Sequence, residues 1–100
     1  MGPNRQVERF IKILRQRMPE LKERYKVSSL GLFGSYLRGA NRERSDLDLL
    51  VEFNEAPSLL KFLKLEHDLG DVLGIKVDLV MKDALKPAIA RRILSEIIPV

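Results

Sequence analysis

The sequence contains no cysteine, no tryptophan and only one histidine. Without cysteine, the chain has no disulfide, no thiolate metal site and no cysteine nucleophile. A single histidine excludes a zinc site built from several histidines. No apolar run approaches the roughly 20 residues that a membrane-spanning helix needs, and the N-terminus MGPNRQVERF has no signal-peptide pattern. These absences predict a cytoplasmic protein that does not associate with membranes.

The composition that is present is typical of one small folded domain. The 100 residues are 45% hydrophobic and 32% charged, which excludes broad disorder and allows one core. We therefore expect a single domain over residues 1–100. The net charge is +4, and the basic residues are spread along the chain rather than gathered in one stripe. A nucleoside triphosphate fits this sign, whereas nucleic acid is not expected to be the main ligand.

The spacing of apolar residues predicts alternating helices and strands. Strands are expected over 27–33, 46–53 and 75–81. Helices are expected over 4–26, where Pro19 should kink or restart the helix near Met18, from Ser35 to Gly39, over 58–73, and from about residue 83 to the C-terminus. This order predicts the α/β (α+β) class, with helices packed on a mixed β-sheet.

Two of these helices carry a predicted inward face. In the 58–73 helix, the residues expected to face the core are Leu59, Leu60, Leu63, Leu69, Val72 and Leu73. Phe62 and Leu65 are expected to lie off that face. In the last helix, the residues expected to face inward are Ile89, Ile93, Leu94 and Ile97.

Two carboxylates in an aliphatic strand give the first indication of a function. Asp46 and Asp48 lie two residues apart, so an extended backbone directs both side chains to one face of the sheet. Carboxylates are costly among leucine and valine unless a cation pairs with them. The pair Gly34-Ser35 is a turn sequence at the end of an apolar run, and ten residues separate it from Asp46. A third acid, Asp78, lies in the next predicted strand.

This combination suits the transfer of a nucleotidyl group. A Gly-Ser turn leading into a helix offers backbone N–H groups and a positive helix end to a triphosphate. Mg²⁺ prefers oxygen ligands, and two ions roughly 3.5–4 Å apart can serve the attacking and leaving oxygens; Mn²⁺ suits the same ligands. The alternative is structural: the first two acids pair with Arg42 and Arg44, and the third is an exposed acid of an edge strand.

The segments GSYLRG, SDLDLLVEF and VDLV together resemble the minimal nucleotidyltransferase (MNT) proteins of the DNA polymerase β-type nucleotidyltransferase superfamily. The resemblance implies a polymerase β palm-like fold that uses ATP and Mg²⁺. It assigns catalysis and metal binding to Asp46, Asp48 and Asp78. It assigns phosphate binding to Gly34 and Ser35, and Arg38 matches the family's basic residue at the triphosphate.

The resemblance also implies a partner. Family members often act as antitoxins of a helical HEPN toxin that is encoded by the neighbouring gene, and transfer AMP from ATP to a tyrosine of that toxin. Larger superfamily members carry a helical domain that holds the acceptor, so a partner protein or a second copy is expected to complete that side here. Two alternatives stay open: an antitoxin that neutralises by binding alone, and a nucleotidyltransferase acting on a small molecule or an RNA end.

Overall fold

The structure is a computed structural model that describes residues 5–37 and 46–100. Its elements in chain order are α1 (Arg5–Tyr25), β1 (Val27–Phe33), β2 (Leu47–Phe53), α2 (Leu59–Leu73), β3 (Val77–Met81), a 3₁₀ turn (Lys82–Ala84), α3 (Pro87–Glu96) and β4 (Ile98–Pro99). This content confirms the predicted α/β class. Within those two ranges, no helix is both long enough and apolar enough to cross a bilayer.

The four strands form one mixed sheet in the order β3-β2-β1-β4. The central strand β2 runs parallel to β3 and antiparallel to β1, while β4 pairs antiparallel with β1. Sequence reasoning did not predict β4, because two residues carry no periodicity. It is held by its pairing with Gly31 and Leu32, and by the N–H of Val100, which donates to the carbonyl of Leu30 at 3.0 Å.

Helices α1 and α2 contact each other and cover one face of this sheet. Leu47, Leu49 and Val51 of β2 point to that face, and each is fully buried. They pack in one core with side chains of both helices, which include Phe10, Leu14, Leu65, Leu69 and Leu73. The other face of the sheet carries Asp48 and Asp78, and we refer to the two sides as the covered face and the acid-bearing face.

The predicted interruption of α1 at Pro19 is wrong. The helix is continuous from Arg5 to Tyr25 with Pro19 inside it. Proline lacks the N–H of one helical hydrogen bond, but Leu21 and Tyr25 beyond it are buried in the core. Their burial keeps the last turns helical. The helix then ends at Lys26, whose φ of +61° turns the chain toward β1.

The ends of α2 were predicted correctly, but its inward face was not. Ser58 caps the start by accepting the N–H of Lys61 at 3.2 Å, and Gly74 ends the helix at a φ of +71°. Leu59, Leu60 and Leu63 were expected in the core, yet they are 73%, 80% and 47% exposed. Leu65, expected off the inward face, is fully buried.

The reason is the phase of the helix. Leu65, Leu69 and Leu73 recur every four residues and all face the core. That stripe turns the leucines of the first helical turns toward solvent.

Helix α3 lies loosely against the rest of the molecule. It has no buried residue, and the prediction that Ile89 and Leu94 face inward is wrong, since they are 48% and 42% exposed. The chain instead makes its close contact just after the helix, at Ile97. A Cβ on Gly31 would lie 2.5 Å from Cγ1 of Ile97. Gly31 is paired with Leu50, so Ile97 lies on the acid-bearing face.

Candidate functional site

Asp48 and Asp78 are direct neighbours on adjacent strands. They are paired in the parallel ladder between β2 and β3, so their side chains leave the same face of the sheet. Asp48 is half-buried and Asp78 is exposed. The parallel crossover through α2 therefore brings together two acids that are 30 positions apart in sequence.

Asp46 was predicted to lie within the strand. In the structure it lies just before the strand begins. The ladder begins at Leu47, whose N–H donates to the carbonyl of Lys76 at 2.9 Å. The carboxylate of Asp46 is 42% exposed, and its Oδ2 is 4.0 Å from Nζ of Lys76. This pair is exposed and contributes little stability. Asp46 is thus two residues from Asp48, partly exposed to solvent and close to the side chain of Lys76.

Gly34 closes the site from the side of β1. Phe33 is paired with Asp48 across the antiparallel ladder, so the next residue lies beside the Asp48 carboxylate. Gly34 has a φ of +89°, a conformation that other residues adopt only with strain. A Cβ there would overlap the carboxylate and lie 2.8 Å from Cγ of Asp48. Glycine is therefore required at this position both by the backbone and by the acid.

The predicted helix from Ser35 to Gly39 is not formed in the part that the structure describes. Ser35 to Leu37 form a turn, with Ser35 half-buried and Tyr36 buried against Phe10. The turn places Ser35 close to the end of β1. Arg38 and the two arginines at 42 and 44 lie outside the described residues.

The residues present fit a divalent cation by their donor chemistry. Asp46, Asp48 and Asp78 offer only carboxylate oxygens, which hard cations such as Mg²⁺ and Mn²⁺ prefer. In residues 5–37 and 46–100, the group of acidic and histidine side chains whose ligand atoms lie within 4.8 Å of one another is a different one, on α2. Carboxylates that serve two ions are shared between them and need not meet at one point.

That other group consists of His67, Asp68 and Asp71 on α2. Nδ1 of His67 is 3.4 Å from Asp71, and both side chains are more than two-thirds exposed. Asp68 accepts a hydrogen bond of 2.5 Å from the hydroxyl of Tyr25. Burial and this bond raise the pKa of Tyr25 to about 12. The hydrogen bond between Tyr25 and Asp68 joins α1 to α2, and the sequence did not predict it because the two residues are 43 positions apart.

Comparison with known proteins identifies the family. A family model described as the nucleotidyltransferase domain matches residues 8–100. The chain belongs to the nucleotidyltransferase domain family. The family resemblance predicted from the three sequence segments is confirmed, and with it the expectation that the protein is a nucleotidyltransferase.

The nucleotidyltransferase is similar to a protein adenylyltransferase and to a solved structure over nearly its whole length. Protein adenylyltransferase MntA of Thermococcus cleftensis is 50% identical over 92 residues, which are 92% of this chain and 93% of that protein. A solved structure described as a minimal nucleotidyltransferase has a TM-score of 0.74 and 38% identity, covering 90% of this chain and 92% of that chain.

A more distant structure supports the fold alone. It is a tri-AMPylated Shewanella oneidensis HEPN toxin in complex with MNT antitoxin, with a TM-score of 0.60 and 23% identity. The match covers 94% of this nucleotidyltransferase and 67% of that chain.

Proposed function

We propose that this nucleotidyltransferase transfers AMP from ATP to a tyrosine hydroxyl of a helical HEPN-type toxin, and thereby acts as its antitoxin. The observation that carries the proposal is the arrangement of Asp48: it is paired with Asp78 on one side, and Gly34 lies against its carboxylate on the other. The protein-adenylyltransferase name of a relative at 50% identity supports transfer to a protein. The toxin partner is supported by the MNT–HEPN complex of the same fold.

The acids and the Gly34-Ser35 turn have different proposed roles, which follow from their chemistry. Asp46, Asp48 and Asp78 would hold the divalent cations, Mg²⁺ or Mn²⁺. When bound, such cations neutralise triphosphate charge and lower the pKa of a hydroxyl that they contact. Gly34 lets the chain approach a phosphate closely, and the Ser35 hydroxyl can donate to a phosphate oxygen.

The transfer itself needs one bond made and one broken. The acceptor oxygen attacks the α-phosphorus of ATP, and the bond between that phosphorus and the bridging oxygen to the β-phosphate breaks. Pyrophosphate leaves with the electron pair. The hydroxyl proton passes to Asp78, which is exposed and can release it to water. Most of the rate comes from positioning and charge neutralisation.

The whole chain is proposed to form one catalytic domain, with its acceptor side completed by the partner. Arg38 is proposed to contact the triphosphate, as the family resemblance implies. The single domain is expected from the length and composition of the chain, and the role of Arg38 from the segment GSYLRG.

Labelling tests the proposal. The protein is incubated with Mg²⁺, ATP labelled at the α-phosphate and the helical protein encoded by the neighbouring gene. We expect label on a tyrosine of that protein, and a loss of at least about 1,000-fold for Asp48→Asn, because it removes a carboxylate that would hold the charge-neutralising cations.

Glu52→Gln is the matched control. Glu52 lies on the same face of β2 as Asp48, two positions beyond Leu50, and is paired with Lys82 at 3.2 Å. It undergoes the same loss of charge, yet should label normally because it lies away from Asp78. Equal labelling by Asp48→Asn and Glu52→Gln would show that the catalytic assignment is wrong.

A second candidate is an antitoxin that neutralises by binding alone. The observation that favours it is the group of exposed leucines on α2, which is available to a partner. Toxin neutralisation that survives substitution of all three acids by asparagine would support this candidate over catalysis.

A further inference from the structure

The first turns of α2 carry three leucines that face solvent. Leu59, Leu60 and Leu63 are 73%, 80% and 47% exposed, while the opposite side of the same helix is fully buried in the core. Exposing leucine is unfavourable by about 25 cal/mol for each Å² of apolar surface. Positions three and four apart are neighbours on a helix, so Leu63 lies beside both Leu59 and Leu60, and exposed apolar groups can mark interaction sites.

Basic side chains line a groove beside Leu60, one of these leucines. Arg24, Lys61 and Lys64 line an open groove of about 480 Å³ with Leu60, Tyr25 and Ser58, and this lining contains no acid. Among the described residues, neither Lys61 nor Lys64 has an ion pair, and Nζ of Lys61 is 6.0 Å from the ring centre of Tyr25. We call Leu59, Leu60, Lys61, Leu63 and Lys64 the leucine–lysine surface.

The charges decide which occupant fits. In a symmetric pair of two copies, matching leucine to leucine would also bring the lysines of the two copies together. Like charges across an interface oppose that pairing. An apolar surface flanked by carboxylates would instead satisfy both the leucines and the lysines.

We propose that the leucine–lysine surface binds an amphipathic helix of the acceptor protein, with leucine-like residues along one side and Asp or Glu beside them. The proposal rests on the proposed function for the identity of the partner. It adds where the partner binds and which chemistry the partner must present.

This surface is separate from the reaction site. Asp48 lies at the start of β2, whereas α2 begins six positions after β2 ends at Phe53. The length of β2 from Asp48 to Phe53 is roughly 17 Å at the usual rise per residue. Helix α2 also lies on the covered face, opposite to the acids. The contact that holds the partner is therefore distinct from the contact that reacts, and a substitution in one leaves the other intact.

The experiment measures binding and transfer on the same proteins. The full chain is titrated by calorimetry with the helical protein encoded by the neighbouring gene. Three double variants are compared: Leu60→Asp with Leu63→Asp, Lys61→Glu with Lys64→Glu, and the control Lys12→Glu with Arg15→Glu. The control changes the net charge as much as the lysine variant does, at exposed positions of α1.

We expect the leucine and lysine variants to weaken binding at least tenfold, and the control to stay within threefold of the wild type. In the transfer assay, the two variants should raise KM for the acceptor by the same factor and keep kcat at saturation. Asp48→Asn should bind with the wild-type Kd. Circular dichroism verifies that the variants are folded, as is expected for substitutions at exposed positions.

Two results would overturn the proposal. One is wild-type affinity in the leucine and lysine variants. The other is a wild-type dimer that the leucine substitutions dissociate, because a second copy would then be the occupant. Failure of the proposed function looks different: no AMP transfer by the wild type, with binding that still depends on the leucine–lysine surface.

Discussion

The two faces of β2 follow different rules although their residues alternate along one strand. Leu47, Leu49 and Val51 point to the covered face and are fully buried. Asp48 and Glu52, between and beyond them, point to the acid-bearing face and are half-buried. The covered face supplies the burial that holds the strand in place. The acid-bearing face is thereby free to hold charge beside water, which a strand buried on both faces could not do.

After Asp48→Asn, the largest effect that we expect from the acid-bearing face is on activity, through Gly34→Ala. The new Cβ would overlap the Asp48 carboxylate and displace it. A displacement of about 1 Å at a reacting site can cost on the order of 100-fold in rate. We expect this loss in AMP transfer by a protein that remains folded.

Gly74→Ala is the control for this prediction. Gly74 also has a positive φ, of +71°, but no atom lies within 4 Å of its added Cβ. It should incur a similar backbone cost of about 1–2 kcal/mol and retain activity. Equal activity of the two alanine variants would show that Gly34 acts only through its backbone.

The covered face should respond in stability instead, through Leu49→Ala. Leu49 is fully buried in the core, and truncating a buried leucine lowers the free energy of unfolding by about 2–5 kcal/mol. Urea denaturation measures this loss. Asp48→Asn, one residue away, should leave the free energy of unfolding within about 1 kcal/mol of the wild type. A large stability loss in both variants would contradict the view that the covered face provides stability and the acid-bearing face activity.

A smaller effect is expected where α1 and α2 meet behind the covered face. Tyr25→Phe removes the hydroxyl that donates to Asp68, and should cost about 1–3 kcal/mol because the acceptor is a carboxylate. The folded pKa of Tyr25 is about 12, above its ordinary value of 10.0. A raised pKa favours the neutral form in the folded state, so this contribution is complete below pH 10 and is lost as the pH rises toward 12.

Unfolding curves between pH 9 and pH 12 measure this dependence. The stability difference between wild type and Tyr25→Phe should shrink across that range. A difference that stays constant would mean that the hydroxyl contributes nothing through its protonation.

The face of the acid-bearing strand was predictable because residues at alternate positions of a strand share one face. Acids at alternate positions among aliphatic residues fix the face of β2, and a helix between two strands fixes the parallel pairing that brings Asp78 to Asp48. The inward face of α2 was not predictable in this way. Apolar residues occur on every side of its first turns, so periodicity alone could not choose between the stripe of Leu65 and the stripe of Leu59.

The outer edge of β3 has a consequence for how the molecules behave toward one another. The carboxylate of Glu66 accepts the N–H of Leu79 at 2.8 Å. The carbonyl of Lys76 is directed at β2, so the odd-numbered residues of β3 direct their backbone groups away from the sheet. An incoming strand could not accept this N–H, because the carboxylate of Glu66 already accepts it. At the opposite rim, Pro99 has no N–H to offer. Each rim therefore has one backbone position that cannot donate to a foreign strand, and the addition of such strands is the step by which sheets grow into fibrils.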